Sequence, residues 1–166
     1  TLNLALLAAL RRGIKSAGQA AQIKSLTITS VGNDYFSSGL DLNELMSLPL
    51  PRRREHFESL IDVYREILAC PKPTLAALTG SALLGGWVLA MACDWRVISA
   101  DSKIALSEIR AGLSPTPLLL KRLDFLCSDR RVFKNMVLRG QSIRAEEALA
   151  AGLVDEVVPQ TDVMSH

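Results

Sequence analysis

Apolar positions recur along the chain in two alternating rhythms. From residue 2 to about residue 22, Leu6, Leu10, Ile14 and Ala17 return at helical spacing while Arg11, Arg12 and Lys15 take other faces, which predicts an amphipathic helix. Residues 23–30 are rich in β-branched side chains and run into the turn cluster 31–34, so a strand is expected there, followed by a loop over 36–39. A short helix is predicted over 41–47. A longer one is predicted over 53–70, with Phe57, Leu60, Ile61, Tyr64 and Leu68 on its buried stripe and Pro71 and Pro73 at its end. Residues 74–79 are uncharged and bounded by Pro and Gly, as in a buried strand, and Gly85-Gly86 opens a helix to about Cys93. Strands over 95–98 and 103–106 precede helices around 118–127, 129–138 and 145–151 and a strand over 154–158. Strands alternating with helices give an α/β class, with functional loops at the strand ends.

Composition narrows the function. The chain has 166 residues, 19 Lys plus Arg, 17 Asp plus Glu and 49% hydrophobic residues, which fits one globular domain over 1–166. A net charge of +2 is too small for a nucleic-acid field, and the basic run Arg52-Arg53-Arg54 is followed by Glu55 and Glu58. Cys70, Cys93 and Cys127 are odd in number and widely spaced, arguing against a disulfide framework or a zinc site and for a reducing compartment. The expectation is the cytoplasm, with mitochondrion and peroxisome left open. His56 and His166 are the only imidazoles, so a Ser-His-Asp site or a multi-His metal centre has almost no raw material. Catalysis then falls to carboxylates or backbone.

Residues 73–93 are uncharged and long enough to span a bilayer, but Thr74, Thr79, Gly80, Ser81, Gly85 and Gly86 interrupt them. The expectation is a buried strand, a turn and a buried helix, with no membrane partner. Residues 2–10 lack a preceding basic region, so no signal peptide is expected within the chain, and the start at Thr1 leaves open what lies upstream.

Three segments carry candidate chemistry: Tyr35-Phe-Ser-Ser-Gly-Leu-Asp-Leu42, residues 73–86 with Cys93-Asp94 beyond, and Ala105-Leu-Ser-Glu-Ile109. A glycine pair between strand and helix can be simple close packing. It also places unsatisfied N–H groups and the positive end of a helix dipole at one point, which suits an oxygen that gains negative charge. The Ser38-Gly39 loop is the candidate second donor.

Together these segments resemble the crotonase superfamily, the enoyl-CoA hydratase/isomerase family, over essentially the whole chain. Its members read roughly F-[SA]-[AS]-G-[AL]-D-[LI], then P-x-[IL]-A-x-[IV]-x-G-x-[AC]-x-[GA]-G-G, then Cys-Asp, a glutamate fourteen residues on, and late A-x-x-G-[LI]-V-[DN]-x-V-V-P. Here these are residues 36–42, 73–86, Cys93-Asp94, Glu108 and 150–159. The resemblance implies a crotonase-like ββα superhelix, a spiral core domain whose C-terminal helical segment, like a strand ahead of the first helix, is largely missing from the 166 residues. It implies that the backbone N–H groups of Ser38 and Gly85 bind the thioester oxygen of an acyl-CoA, that Asp41 and Leu42 contact the CoA adenine, and that Glu108 is a catalytic carboxylate. Asp41 reads equally as a helix N-cap, and Glu108 as a solvated carboxylate or an Arg110 partner. No cofactor beyond the CoA of the substrate and no metal are implied; a trimer or hexamer is implied where the C-terminal segment is present.

Hydratases of the family carry a second glutamate where this chain has Val88. One carboxylate suffices to move a double bond through an enolate, so the resemblance leans to a Δ3,Δ2-enoyl-CoA isomerase. A hydratase, another single-glutamate decarboxylase or hydrolase, and a catalytically silent acyl-CoA-binding or assembly subunit remain as alternatives. Trp87, Met91 and Trp95 are expected in the core, and Asp94 is expected to be structural.

Overall fold

The computed structural model describes residues 1–165, so the second imidazole, His166, lies outside the described residues. The chain repeats one unit: a strand, a second strand, then helix. The first strands, β1 (Leu26–Thr29), β3 (Thr74–Leu78) and β5 (Trp95–Ser99), join β8 (Glu156–Val158) in a parallel sheet ordered β1-β3-β5-β8. The second strands, β2 (Tyr35–Ser37), β4 (Ser81–Leu83) and β6 (Lys103–Ala105), build another sheet, ordered β2-β4-β6 and closed by the antiparallel β7 (Ile143–Arg144). Each turn of the chain thus adds one strand to each sheet. Parallel neighbours need long crossovers, and here helices supply them.

The helices are α1 (Leu4–Gln19), α2 (Leu42–Ser47), α3 (Leu50–Leu68), α4 (Gly85–Ala92), α5 (Pro117–Leu126), α6 (Arg130–Arg139) and α7 (Ala145–Ala150). Their starts follow local chemistry: Asn3, Asp41, Thr116 and Asp129 each accept a hydrogen bond from a backbone N–H of the first turn. α4 is buried along its whole length, which explains the uncharged composition of residues 73–93. Among the described residues no helix is long and apolar enough to cross a membrane.

Four expectations need correction. Residues 36–39 are not all loop, because Tyr35–Ser37 pairs with β4, and 81–83 form a strand where only a turn was expected. Strands of three residues carry too little periodicity to be read, and distant partners define them. The buried stripe of α3 is His56, Leu60, Val63, Tyr64 and Ile67, while Phe57 and Leu68 are partly exposed. α3 packs between α1 and α4, and that pair of neighbours rotates the inward face by about one position. Trp95 is 49% exposed, its indole N–H donating to Glu156; Trp87 and Met91 are in the core as expected.

Candidate active site

β2, β4 and β6 run parallel, so their C-terminal ends leave the sheet side by side. Ser37 is level with Ala82, which is level with Ile104. With neighbouring strands about 4.8 Å apart, the three exits lie within roughly 10 Å. Ser38, Gly85 and Glu108 follow these ends, and the fold brings them to one edge from positions far apart in sequence.

A register shift between Tyr35 and Ser37 bends the end of β2, and Gly39 then takes φ +98°, a left-handed conformation. The Gly39 N–H donates to Ser37 Oγ at 3.1 Å. A Cβ on Gly39 would stand 2.9 Å from Leu84 Cβ and 3.2 Å from Gly85 N, so this turn lies directly on the entrance to α4. Gly86 is equally constrained: its Cβ would fall 2.4 Å from the Ser37 carbonyl oxygen. The glycine pair therefore brings α4 against β2, and Gly85 begins a helix with no side-chain cap on its first turn.

Leu84 gave no warning in the hydrophobic pattern. It adopts φ +50°, ψ −124°, a conformation costing a non-glycine residue about 1–3 kcal/mol. The one sequence signal is that the family pattern has Gly or Ala at its position. Leu84 is pinned from both sides: its N–H donates to Ala105 O at 2.8 Å, and its carbonyl accepts from Val88 N–H at 3.0 Å.

Beyond β6 the chain passes buried Leu106 and forms a 3₁₀ turn, Glu108–Ala111, ended by left-handed Gly112. Glu108 Oε2 is buried with no hydrogen-bond partner among the described residues, and no ion pair joins Glu108 to Arg110. Burial raises its carboxyl above the ordinary glutamate value, because water no longer solvates the anion. Such a carboxylate is a stronger proton acceptor than an exposed one. Val88, at the place of the family's second glutamate, is 1% exposed within α4.

Asp41 caps α2, accepting from Glu44 N–H at 3.0 Å, and this bond, with one from the Thr1 hydroxyl, holds its carboxyl below the ordinary range. Leu42 is largely exposed beside it. Arg52 and Arg54 pair with Glu55 and Glu58, while Arg53 donates to the Leu48 and Met46 carbonyls, so the basic run is spent locally. Asp94 accepts from the N–H and hydroxyl of Thr74, each at 2.8 Å, a structural role as expected. Burial pushes the Cys93 thiol up to about 12, which leaves no thiolate near neutrality. Among the described residues no group of His, Cys, Asp and Glu could hold a metal ion.

A family model described as enoyl-CoA hydratase/isomerase matches residues 1–166. A probable enoyl-CoA hydratase of Mycobacterium avium is 40% identical over 132 residues, 80% of this chain and 51% of that protein. The crystal structure of an enoyl-CoA hydratase from Bacillus anthracis superposes with a TM-score of 0.94 at 29% identity, covering 99% of this chain and 63% of that one. Human mitochondrial delta3-delta2-enoyl-CoA isomerase gives 0.93 at 24% identity over 99% and 64%, a likeness of fold. The chain spans about half the length of the curated relatives it matches.

Proposed function

The chain belongs to the enoyl-CoA hydratase/isomerase family, and on that premise we propose that it stabilises the enolate of an acyl-CoA thioester as a Δ3,Δ2-enoyl-CoA isomerase with Glu108 as its single base. In this reading the Ser38 and Gly85 N–H groups donate to the thioester oxygen. The Glu108 carboxylate takes a proton from C2 of a 3-enoyl thioester, negative charge moves onto that oxygen, and the same proton returns at C4 as the double bond shifts between C2 and C3. Asp41 and Leu42 meet the CoA adenine through backbone atoms. No cofactor beyond the CoA of the substrate takes part, residues 1–166 act as one core domain, and the whole protein assembles as a trimer or hexamer of like chains.

The observation that supports this reading best is the buried, unpartnered Glu108 oxygen beside the paired exits of β2 and β4. Hydration needs water held and activated as well as a proton delivered; Glu108 alone can serve one of these tasks, and Val88 offers no carboxylate for the other. The names of the curated relatives favour a second reading, hydration of a 2-enoyl-CoA. Supplying 3-enoyl-CoA and 2-enoyl-CoA separately distinguishes them. Isomerisation predicts the conjugated thioester from the first substrate and nothing from the second; hydration of the second would overturn it. Glu108→Gln should abolish turnover while acyl-CoA still shifts the melting temperature. Ser38→Pro should lose about 10²–10³ in kcat and Ser38→Ala little, because the donor is a backbone group. Thermal stabilisation by acyl-CoA without conversion of either substrate would reduce the protein to a binding module.

A further inference from the structure

In the sequence His56 is only one of too few imidazoles for catalysis, yet in the structure it is 0% exposed on the inward face of α3. Its Nε2 lies 3.0 Å from the Leu2 carbonyl oxygen. A carbonyl can only accept, so Nε2 carries a proton and donates; Glu44 Oε2 lies 3.5 Å from the same nitrogen, and Nδ1 has no hydrogen-bond partner among the described residues. The same Leu2 carbonyl accepts from Asp41 N–H at 3.0 Å, and the Leu2 N–H donates to Gly39 O at 2.8 Å. Leu2 thus adds a parallel bridge to Leu40, in the turn that follows Ser38. Its side chain reaches the other strand exit: a Cβ on Gly85 would stand 3.4 Å from Leu2 Cδ1. One buried residue therefore touches both candidate donor segments, by backbone on one side and side chain on the other. An apolar residue would fill the place of His56 without leaving a nitrogen unpaired; what it could not do is fix the direction of the Leu2 carbonyl.

We propose that His56 is a positioning residue, holding Leu2 so that Leu2 sets the Gly39–Asp41 turn against Gly85. Its catalytic consequence rests on the reading that the Ser38 and Gly85 amides bind a thioester oxygen; its structural content does not. Glutamine at this place can present an amide N–H where Nε2 stands, and leucine cannot, so in the full chain His56→Gln and His56→Leu separate bond from bulk. Val63→Ala, on the same face of α3, controls for general loss of packing.

Hydrogen exchange of the Leu2 and Asp41 amides, referenced to those of β3, is the first readout. His56→Leu should speed both at least tenfold relative to β3, while His56→Gln and Val63→Ala keep the parental ratio. The second is kinetic: with 3-enoyl-CoA, His56→Leu should lose at least tenfold in kcat at a nearly unchanged KM, and His56→Gln should stay within threefold. Parental exchange at Leu2 and Asp41 in His56→Leu overturns the proposal whatever the activity. Faster exchange with parental kcat overturns the positioning role in catalysis. A parent chain that converts no acyl-CoA at all refutes the isomerase reading, and the exchange ratios then decide the placement of Leu2 on their own.

Discussion

Gly86→Ala tests the contact on which the site is built. The new Cβ would sit 2.4 Å from Ser37 O, 2.7 Å from Ser37 Cβ and 3.0 Å from Ser37 C, all main chain or its first side-chain atom. Non-bonded atoms of this kind rest at about 3.5 Å, so the end of β2 and the start of α4 must separate by roughly 1 Å. Overpacking of this sort costs about 1–3 kcal/mol, within the roughly 5–15 kcal/mol stability of a domain, so the variant should fold. The same 1 Å moves Ser38 away from Gly85, and a misplacement of that size in a catalytic constellation costs about 10²-fold in rate. Urea unfolding should therefore show a lowered midpoint with unchanged m, while kcat/KM for 3-enoyl-CoA, measured where the variant is fully folded, drops about a hundredfold. Gly13 has nothing within 4 Å of its Cβ position and lies exposed inside α1, so Gly13→Ala should gain about 0.5–1 kcal/mol and leave turnover alone. Parental midpoint and parental turnover in Gly86→Ala would show that α4 does not press on β2 as described.

Two further outcomes follow from burial. Because the folded chain raises the Glu108 pKa, the native state holds that proton more tightly than the unfolded one; the resulting stability is complete below the ordinary glutamate value and is lost as pH climbs through the raised value. Glu108→Gln cannot ionise, so it should melt above the parent at pH 7 and level with it near pH 4, and a parent that melts higher at pH 7 would refute desolvation as the cause. Arg96, 2% exposed, pairs with Asp155 at 2.8 Å and donates to the Leu153 and Cys93 carbonyls, tying the C-terminal end of α4 to the segment before β8. Arg96→Met should cost about 3–5 kcal/mol in urea unfolding by removing the cation beside Asp155 and the guanidinium donor to the Leu153 carbonyl, although Asp155 keeps the residue-96 N–H and the Cys93 carbonyl keeps Arg122, and a cost below about 1 kcal/mol would mean that water replaces the guanidinium.

Local chemistry was legible wherever a residue acts on its own neighbours in the chain. Asp41 caps α2 as its type and place suggested, the helical spacing of Leu6 to Ala17 produced α1, and the uncharged residues 73–93 became a buried strand and helix. The motifs single out Ser38, Gly85 and Glu108 only through a pattern shared with a family, and their roles belong to the proposal. What depended on distant partners was not legible. β2 and β4 are too short to show a period, the inward face of α3 turned on which helices flank it, and His56 gained its place from Leu2, 54 residues away. Residue types and their spacing thus determined which groups the chain offers as candidates for the proposed chemistry: one glutamate after β6 and two backbone amides after β2 and β4. Parallel pairing of strands drawn from three separate turns of the chain decided that the segments carrying those groups leave one sheet edge, and burial decided that one oxygen of Glu108 is shut from water.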